Sequence, residues 1–368
     1  MNQTHKEKTV KQYHRLKITF FLINFFITVG FLFLFVYLQG AHALRDVVIE
    51  KIDTPWIQVI FYATSLSLMT YFLETPINFF GDYLLEKHYG LSTLTLGNWC
   101  TRELKKTLLS LVLFLLLVET GYGLVWSMKE KWWIGFGSLW FIYSWLLAQI
   151  FPIWIIPLFY RYSPVRDEAL ILTLKTFALS QGRNIDSVKV LNLSKETKKA
   201  NAAVLGIGKR KRIVLGDTLL NRFNHEEIKV IFAHELGHDK ERHLLMSLLF
   251  NAIVIFGGIY SVKELLLRFL PFFRIVYFDD LAVLPLFLFF FSLFSVVSMP
   301  IQNGFSRFME QRADAFALRT TGLKDVFVSA MKKLSEQNLA DEHPNRWVEI
   351  FFHSHPSISR RIEFAKRF

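Results

Sequence analysis

The sequence predicts a mainly α-helical, multi-pass membrane protein that carries a smaller α+β domain. Three observations predict it. Hydrophobic residues make up 52% of the 368 and are gathered into blocks long enough to cross a bilayer. Lys and Arg, which leave a formal net charge of +12, gather in the stretches beside those blocks. Between the blocks lie two long polar segments, one of which mixes helical and strand patterns. A mean hydropathy of +0.31 excludes an ordinary soluble enzyme. The basic balance is explained by a membrane surface rather than by nucleic acid, which is not expected as a partner. A single cysteine, Cys100, excludes an intramolecular disulfide and a cysteine-based metal site.

The first 17 residues are polar and basic, with Lys6, Lys8, Lys11, Arg15 and Lys17. Residues 18–38 carry no charge and predict the first span. Ala41-His42-Ala43 resembles a signal cleavage site, but the apolar run exceeds a signal h-region and favours a retained anchor. Residues 56–73 predict the second span. Residues 107–128 predict the third, interrupted only by Glu119. Residues 132–160 predict the fourth, with Pro152 and Pro157 as kink points near its exit. Trp126, Trp132, Trp133, Trp154 and Tyr160 suit the membrane–water boundary. Residues 244–262 and 281–306 predict the fifth and sixth spans, joined by a short charged loop. Four regions follow: 1–160 with four spans, a soluble segment 161–243, a transmembrane hairpin 244–306, and a polar, helical tail 307–368.

Within the first soluble segment, Ser163-Pro164 opens a helical pattern through Ser180. Residues 188–193 and 211–215 read as short strands, and 201–206 as a third, with Gly206, Gly208 and Lys209 in the turn. Asp217 is placed to cap a short helix. Asn224 followed by Glu227 forms a capping box for the next one. That helix carries His234-Glu235-Leu236-Gly237-His238, an H-E-x-x-H pattern. On a helix His234 and His238 share a face and can reach one metal ion, with Glu235 beside them to act on a water. The pattern arises by chance too, so its setting matters.

A catalytic zinc site of the zincin kind takes three protein ligands. The extended motif is absent: Glu241 stands at its Gly position, Leu244 at its third His, and His243 is one residue out of register. The third ligand must come from farther on. Two spans return the chain to the side it left, and there Glu310 and Asp314 lie at i and i+4. Alone, they would read as a solvated helix face. Paired with the first motif, Glu310 reads as the third ligand and Asp314 as the group that fixes a ligating imidazole. The even span count puts both termini, residues 80–106 and both soluble segments on one side, together with most Lys and Arg. That side is expected to be cytosolic.

These residues resemble the integral-membrane zinc proteases of the CAAX prenyl endopeptidase type. The resemblance also covers Glu86-Lys87-His88-Tyr89-Gly90 through Thr95-Leu96-Gly97, Asn201-Ala202 with residues 211–215 and 217–220, and Ser354-His355-Pro356 with Arg361. It implies one zinc ion per chain on His234, His238 and Glu310, with Glu235 as general base and His355 as a second stabiliser of the oxyanion. Asn201 and Arg361 would serve substrate binding or the ordering of the site. It implies a peptide or protein substrate, lipidated or not, surrounding membrane lipid, and a chamber enclosed by the spans. A heat-shock membrane protease that removes damaged proteins is the alternative within the same chemistry, and an idle membrane scaffold or transporter the alternative outside it. The sequence departs from the resemblance twice. Eukaryotic relatives of this type are expected to have seven spans, not six. The aromatic residues expected after Asn-Ala are replaced by Ala203, Val204 and Leu205.

Overall fold

A computed structural model describes residues 3–206 and 211–368. The N-terminal part is helical: α1 (Gln3–Tyr37), α2 (Gly40–Lys51), α3 (Pro55–Asn78), α4 (Leu85–His88), α5 (Leu96–Met128), α6 (Trp132–Ile150) and α7 (Ile156–Phe159). The soluble part adds β1 (Tyr162–Pro164), α8 (Glu168–Ser180), β2 (Ile185–Leu191), β3 (Ala202–Leu205), β4 (Lys211–Gly216), α9 (Asp217–Leu220) and α10 (His225–Lys240). The chain finishes with α11 (His243–Phe269), α12 (Val283–Thr321), α13 (Lys324–Asn338), α14 (Arg346–Phe352) and α15 (Ile358–Arg367).

Five continuous helical segments among the described residues are long and apolar enough to cross a membrane. One of them, Leu96–Phe159, is 64 residues long. At about 1.5 Å per residue that is far longer than a bilayer is thick, so it cannot be one crossing. It is broken at Lys129–Lys131, where Lys129 has a φ of 48°, and its arms α5 and α6 pack side by side. Counted as arms, α1, α3, α5, α6, α11 and α12 match the six expected spans. Phe26, Phe72, Ile253 and Val297 are at least 65% exposed, as lipid-facing side chains are. The kink foreseen at Pro152 is a π-helical turn over Phe151–Ile155. At the end of the bundle away from the soluble part, α2 is tied to the loop before α12 by an Arg45–Asp280 ion pair of 2.5 Å.

The soluble part packs α8, α10, α13 and α15 around a four-stranded sheet of order β1-β2-β4-β3. β2 and β4 run parallel, and β3 pairs antiparallel with β4 as an edge strand. Expectation and structure differ at Ser163-Pro164, which lies in β1 rather than opening a helix. The helix starts later because the Asp167 carboxylate accepts the Leu170 N–H at 2.9 Å and caps it. Asp217 is the first residue of α9, and its carboxylate accepts from the backbone of Ser194 and Thr218. Gly206 follows β3 with a φ of 105°, while Gly208 and Lys209 lie outside the described residues.

α10 begins at the predicted capping box: Asn224 accepts the Glu227 N–H at 2.9 Å, and Glu227 accepts the Asn224 N–H at 3.0 Å. The buried Glu227 carboxylate also takes Lys333 and Ser329 of α13 at 2.7 and 2.8 Å, which fixes α10 laterally. α10 then crosses α12 at very short range. A Cβ on Gly237 would stand 3.2 Å from both Ala313 Cα and Phe316 Cβ. Gly237 is therefore the residue that permits the crossing. Gly237→Val should overpack it and cost about 1–3 kcal/mol, read as a lowered Tm, with Gly237→Ala costing less.

Candidate metal centre

The crossing brings α10 and α12 together where their polar residues face each other. The donor atoms of His234, His238 and Glu310 all lie within 4.8 Å of one another. His234 Nε2 is 3.2 Å from His238 Nε2 and 3.2 Å from Glu310 Oε2, and His238 Nε2 is 3.4 Å from Glu310 Oε1. Two imidazole nitrogens and a carboxylate converging on one point fit a zinc ion with an open position. His234 and Glu310 are buried, whereas His238 is half-buried and faces the open side.

Each imidazole is oriented from behind. His234 donates its Nδ1–H to Asp314 Oδ1 at 2.8 Å, which leaves Nε2 for a metal. Asp314, only 1% exposed, is held in turn by Arg361, whose Nε and Nη2 donate to its two oxygens at 2.8 and 2.6 Å. This fork neutralises a carboxylate that could not otherwise stay ionised in the interior. His238 is oriented by His243, with the two Nδ1 atoms 2.9 Å apart. Since His238 Nε2 faces Glu310, its Nδ1 is the donor of that pair. His243 stood out in the sequence only as a near miss of the extended motif.

Glu235 lies beside the cluster, and burial raises its carboxyl above the ordinary value against the opposing pull of His234 and His238. A carboxylate of raised basicity suits a general base. His355 reaches Glu310 from the other side, Nδ1 to Oε2 at 2.8 Å, and its ring remains exposed. Asn201 is exposed and stands at the head of β3, its carbonyl accepting the Gly216 N–H at 2.8 Å. It touches no candidate ligand but lines the same cavity of about 430 Å³ as His234, Glu235, Glu310, His355 and Arg361. A second cavity of about 840 Å³, bounded by Phe151, Pro152, Val204, Leu205 and His238, opens on the other side of Glu235.

Burial alone would lower the His234 imidazole, but its hydrogen bonds to Asp314 and Glu310 outweigh that and push it up to about 9. A metal must displace this proton. The metal-free site therefore holds the proton at neutral pH, and competition weakens as pH rises towards 9. Zinc affinity should climb by about tenfold per pH unit between pH 6.5 and 8.5, measured by competition with a chromogenic chelator. A flat affinity would contradict the assignment of His234.

The profile of peptidase family M48 matches residues 164–368. That of the CAAX prenyl protease N-terminal region, described as five membrane helices, matches residues 2–161. In that region the structure has four arms long enough to span, and α2, at 12 residues, is too short to cross. The chain is 31% identical over 356 residues to the uncharacterized metalloprotease YhfN of Bacillus subtilis, covering 94% of this chain and 83% of that protein. It is 25% identical over 327 residues to CAAX prenyl protease 1 of Saccharomyces cerevisiae, covering 81% and 69%. The crystal structure of S. mikatae Ste24p superposes with a TM-score of 0.88 at 21% identity, covering 99% of this chain and 90% of that one.

Proposed function

The chain belongs to peptidase family M48 and is a multi-pass membrane metalloprotease, and from that premise we propose that it is a zinc endopeptidase with one ion per chain, held by His234, His238 and Glu310. When bound, zinc lowers the pKa of an attacking water and polarises the scissile carbonyl. Glu235 accepts the proton that the water loses and delivers it to the leaving amine. His355, held at the open side by Glu310, donates to the developing oxyanion. Asp314 and Arg361 keep His234 in the tautomer that leaves Nε2 available, and His243 does the same for His238.

The observation that carries the reading is the position of the edge strand. β3 lines both cavities, Ala202 one and Val204 and Leu205 the other, and Glu235 lines both as well. Gly216 donates to Asn201, so in the antiparallel ladder Ala202 and Val204 turn their backbone groups to the free edge. An extended polypeptide adding to that edge would carry its backbone past Glu235 from one cavity to the other. Val204 and Leu205, aliphatic where the resemblance expects aromatic residues, line the larger cavity and give it a side-chain preference of its own. The larger cavity abuts the π-turn of the fourth arm at Phe151, Pro152 and Ile153, which places apolar surface beside the scissile position. An apolar or lipidated residue next to the cut fits there, as expected for a protease similar to those that act on prenylated proteins. The basic stretches beside the spans support a site on the cytosolic side of the membrane.

Two outcomes follow. Gently purified protein should contain about one zinc per chain, and removal by a chelator should abolish cleavage that added zinc restores. Glu235→Gln should retain zinc yet lower kcat on a quenched peptide by at least about 10²-fold. A Glu235→Gln protein that cleaves at the unmodified rate would exclude this mechanism.

A further inference from the structure

Three residues before Glu310 on α12, and so on the same side of that helix, lies Arg307. Its Nη1 donates to three backbone carbonyls, Glu349 at 2.8 Å, Ile350 at 3.3 Å and His353 at 2.6 Å. The first two belong to the last turn of α14, where the Glu349 carbonyl also accepts the N–H of His353, the residue that closes the helix, at 3.3 Å. The third belongs to the extended residue that follows, at φ −106° and ψ 116°. One turn earlier on α12, Asn303 Nδ2 donates to the Phe351 carbonyl at 2.5 Å. The far side of the same turn is closed by the buried Glu349, which accepts the Ser357 N–H at 3.1 Å and pairs with Arg360 at 3.4 Å. Residues 354–356 are thus a short bridge between two anchored points, and His355 is at its centre.

From this arrangement we propose that Arg307 is a positioning residue for His355. The guanidinium caps α14 and fixes the chain two residues before His355. α12 therefore carries both the candidate ligand Glu310 and the clamp that sets His355 at 2.8 Å from it. Register between ligand and oxyanion donor is built into one helix. A lysine replaces the arginine only in part, because its mobile ammonium is not held in orientation as Nη1 is by the planar guanidinium. The role rests on the reading of His355 given above, and the test separates the two.

The test is a double-mutant cycle in the full-length protein in detergent, with zinc content, kcat and KM measured on a quenched peptide. His355→Ala should lower kcat by about 10²-fold, the loss typical of an oxyanion donor. Arg307→Ala should retain zinc and lower kcat by about tenfold or more with KM changed less than about threefold, and in the His355→Ala background it should add less than about twofold. Arg307→Lys should fall between wild type and Arg307→Ala. Equal losses from Arg307→Ala in both backgrounds, or no loss in the wild type, would overturn the positioning role while leaving His355 in place. An unchanged kcat in His355→Ala would overturn the role of His355 and that of Arg307 with it. Should Arg307→Ala fail to accumulate, Arg307→Lys decides. A kcat loss that disappears without His355 supports the clamp, and loss of zinc or a KM effect alone refutes it.

Discussion

The structure depends on the close crossing of α10 and α12. A metal-ligating cluster needs imidazole and carboxylate donors within a few ångströms, in a site dry enough to make their charges count. Here those donors sit on two helices that are 72 residues apart in sequence from His238 to Glu310 and separated by a membrane hairpin. Gly237 against Ala313 lets the backbones meet, and that contact sets the distance between His234 and Glu310. The electrostatic balance follows from the same contact. Asp314 is charged and almost fully buried, which is tolerable only because Arg361 from α15 and His234 from α10 both bind it. Three elements distant in sequence are thereby locked to one carboxylate.

The membrane imposes the second constraint. Backbone in lipid must satisfy its own hydrogen bonds, so the chain can leave and return to the site only as whole helices. Two helices, α11 and the first part of α12, are the smallest excursion that returns to the same face. α12 then continues without a break from the bilayer into the soluble part, through Arg307, Glu310 and Asp314. One helix, with Pro300 in its interior, therefore runs from the apolar span to the candidate ligand Glu310 and couples the site to the bundle. The π-turn at Phe151–Ile155 brings the fourth arm against the cleft from the other side. α12 and that turn thus bring the ends of two spanning arms to the candidate site.

Much of this was legible in the sequence because it rests on local periodicity. The spans are long uncharged runs. The start of α10 is a capping box that closes within four residues. The spacings His234/His238 and Glu310/Asp314 are helical repeats that need no tertiary knowledge. What escaped the sequence depends on contacts between distant segments. Arg307 reads as one more basic residue on a polar helix, since the carbonyls it binds belong to α14. Gly237 reads as a weak helix residue until Ala313 is seen against it. Ser163-Pro164 carries a helix-start signal, yet pairing with β2 at Lys189 and Val190 holds it extended. The break at Lys129 between two apolar runs is visible as charge. Its positive-φ backbone, which lets α5 and α6 fold back on each other, is not.

The claim on which the rest stands is that one metal ion joins α10 to α12. Zinc K-edge absorption of the purified full-length protein reads the ligands directly. It should give imidazole nitrogens at about 2.0–2.1 Å together with oxygen and no sulfur, and one imidazole fewer in His238→Ala. A sulfur shell, an all-oxygen shell, or a spectrum unchanged by His238→Ala would contradict it.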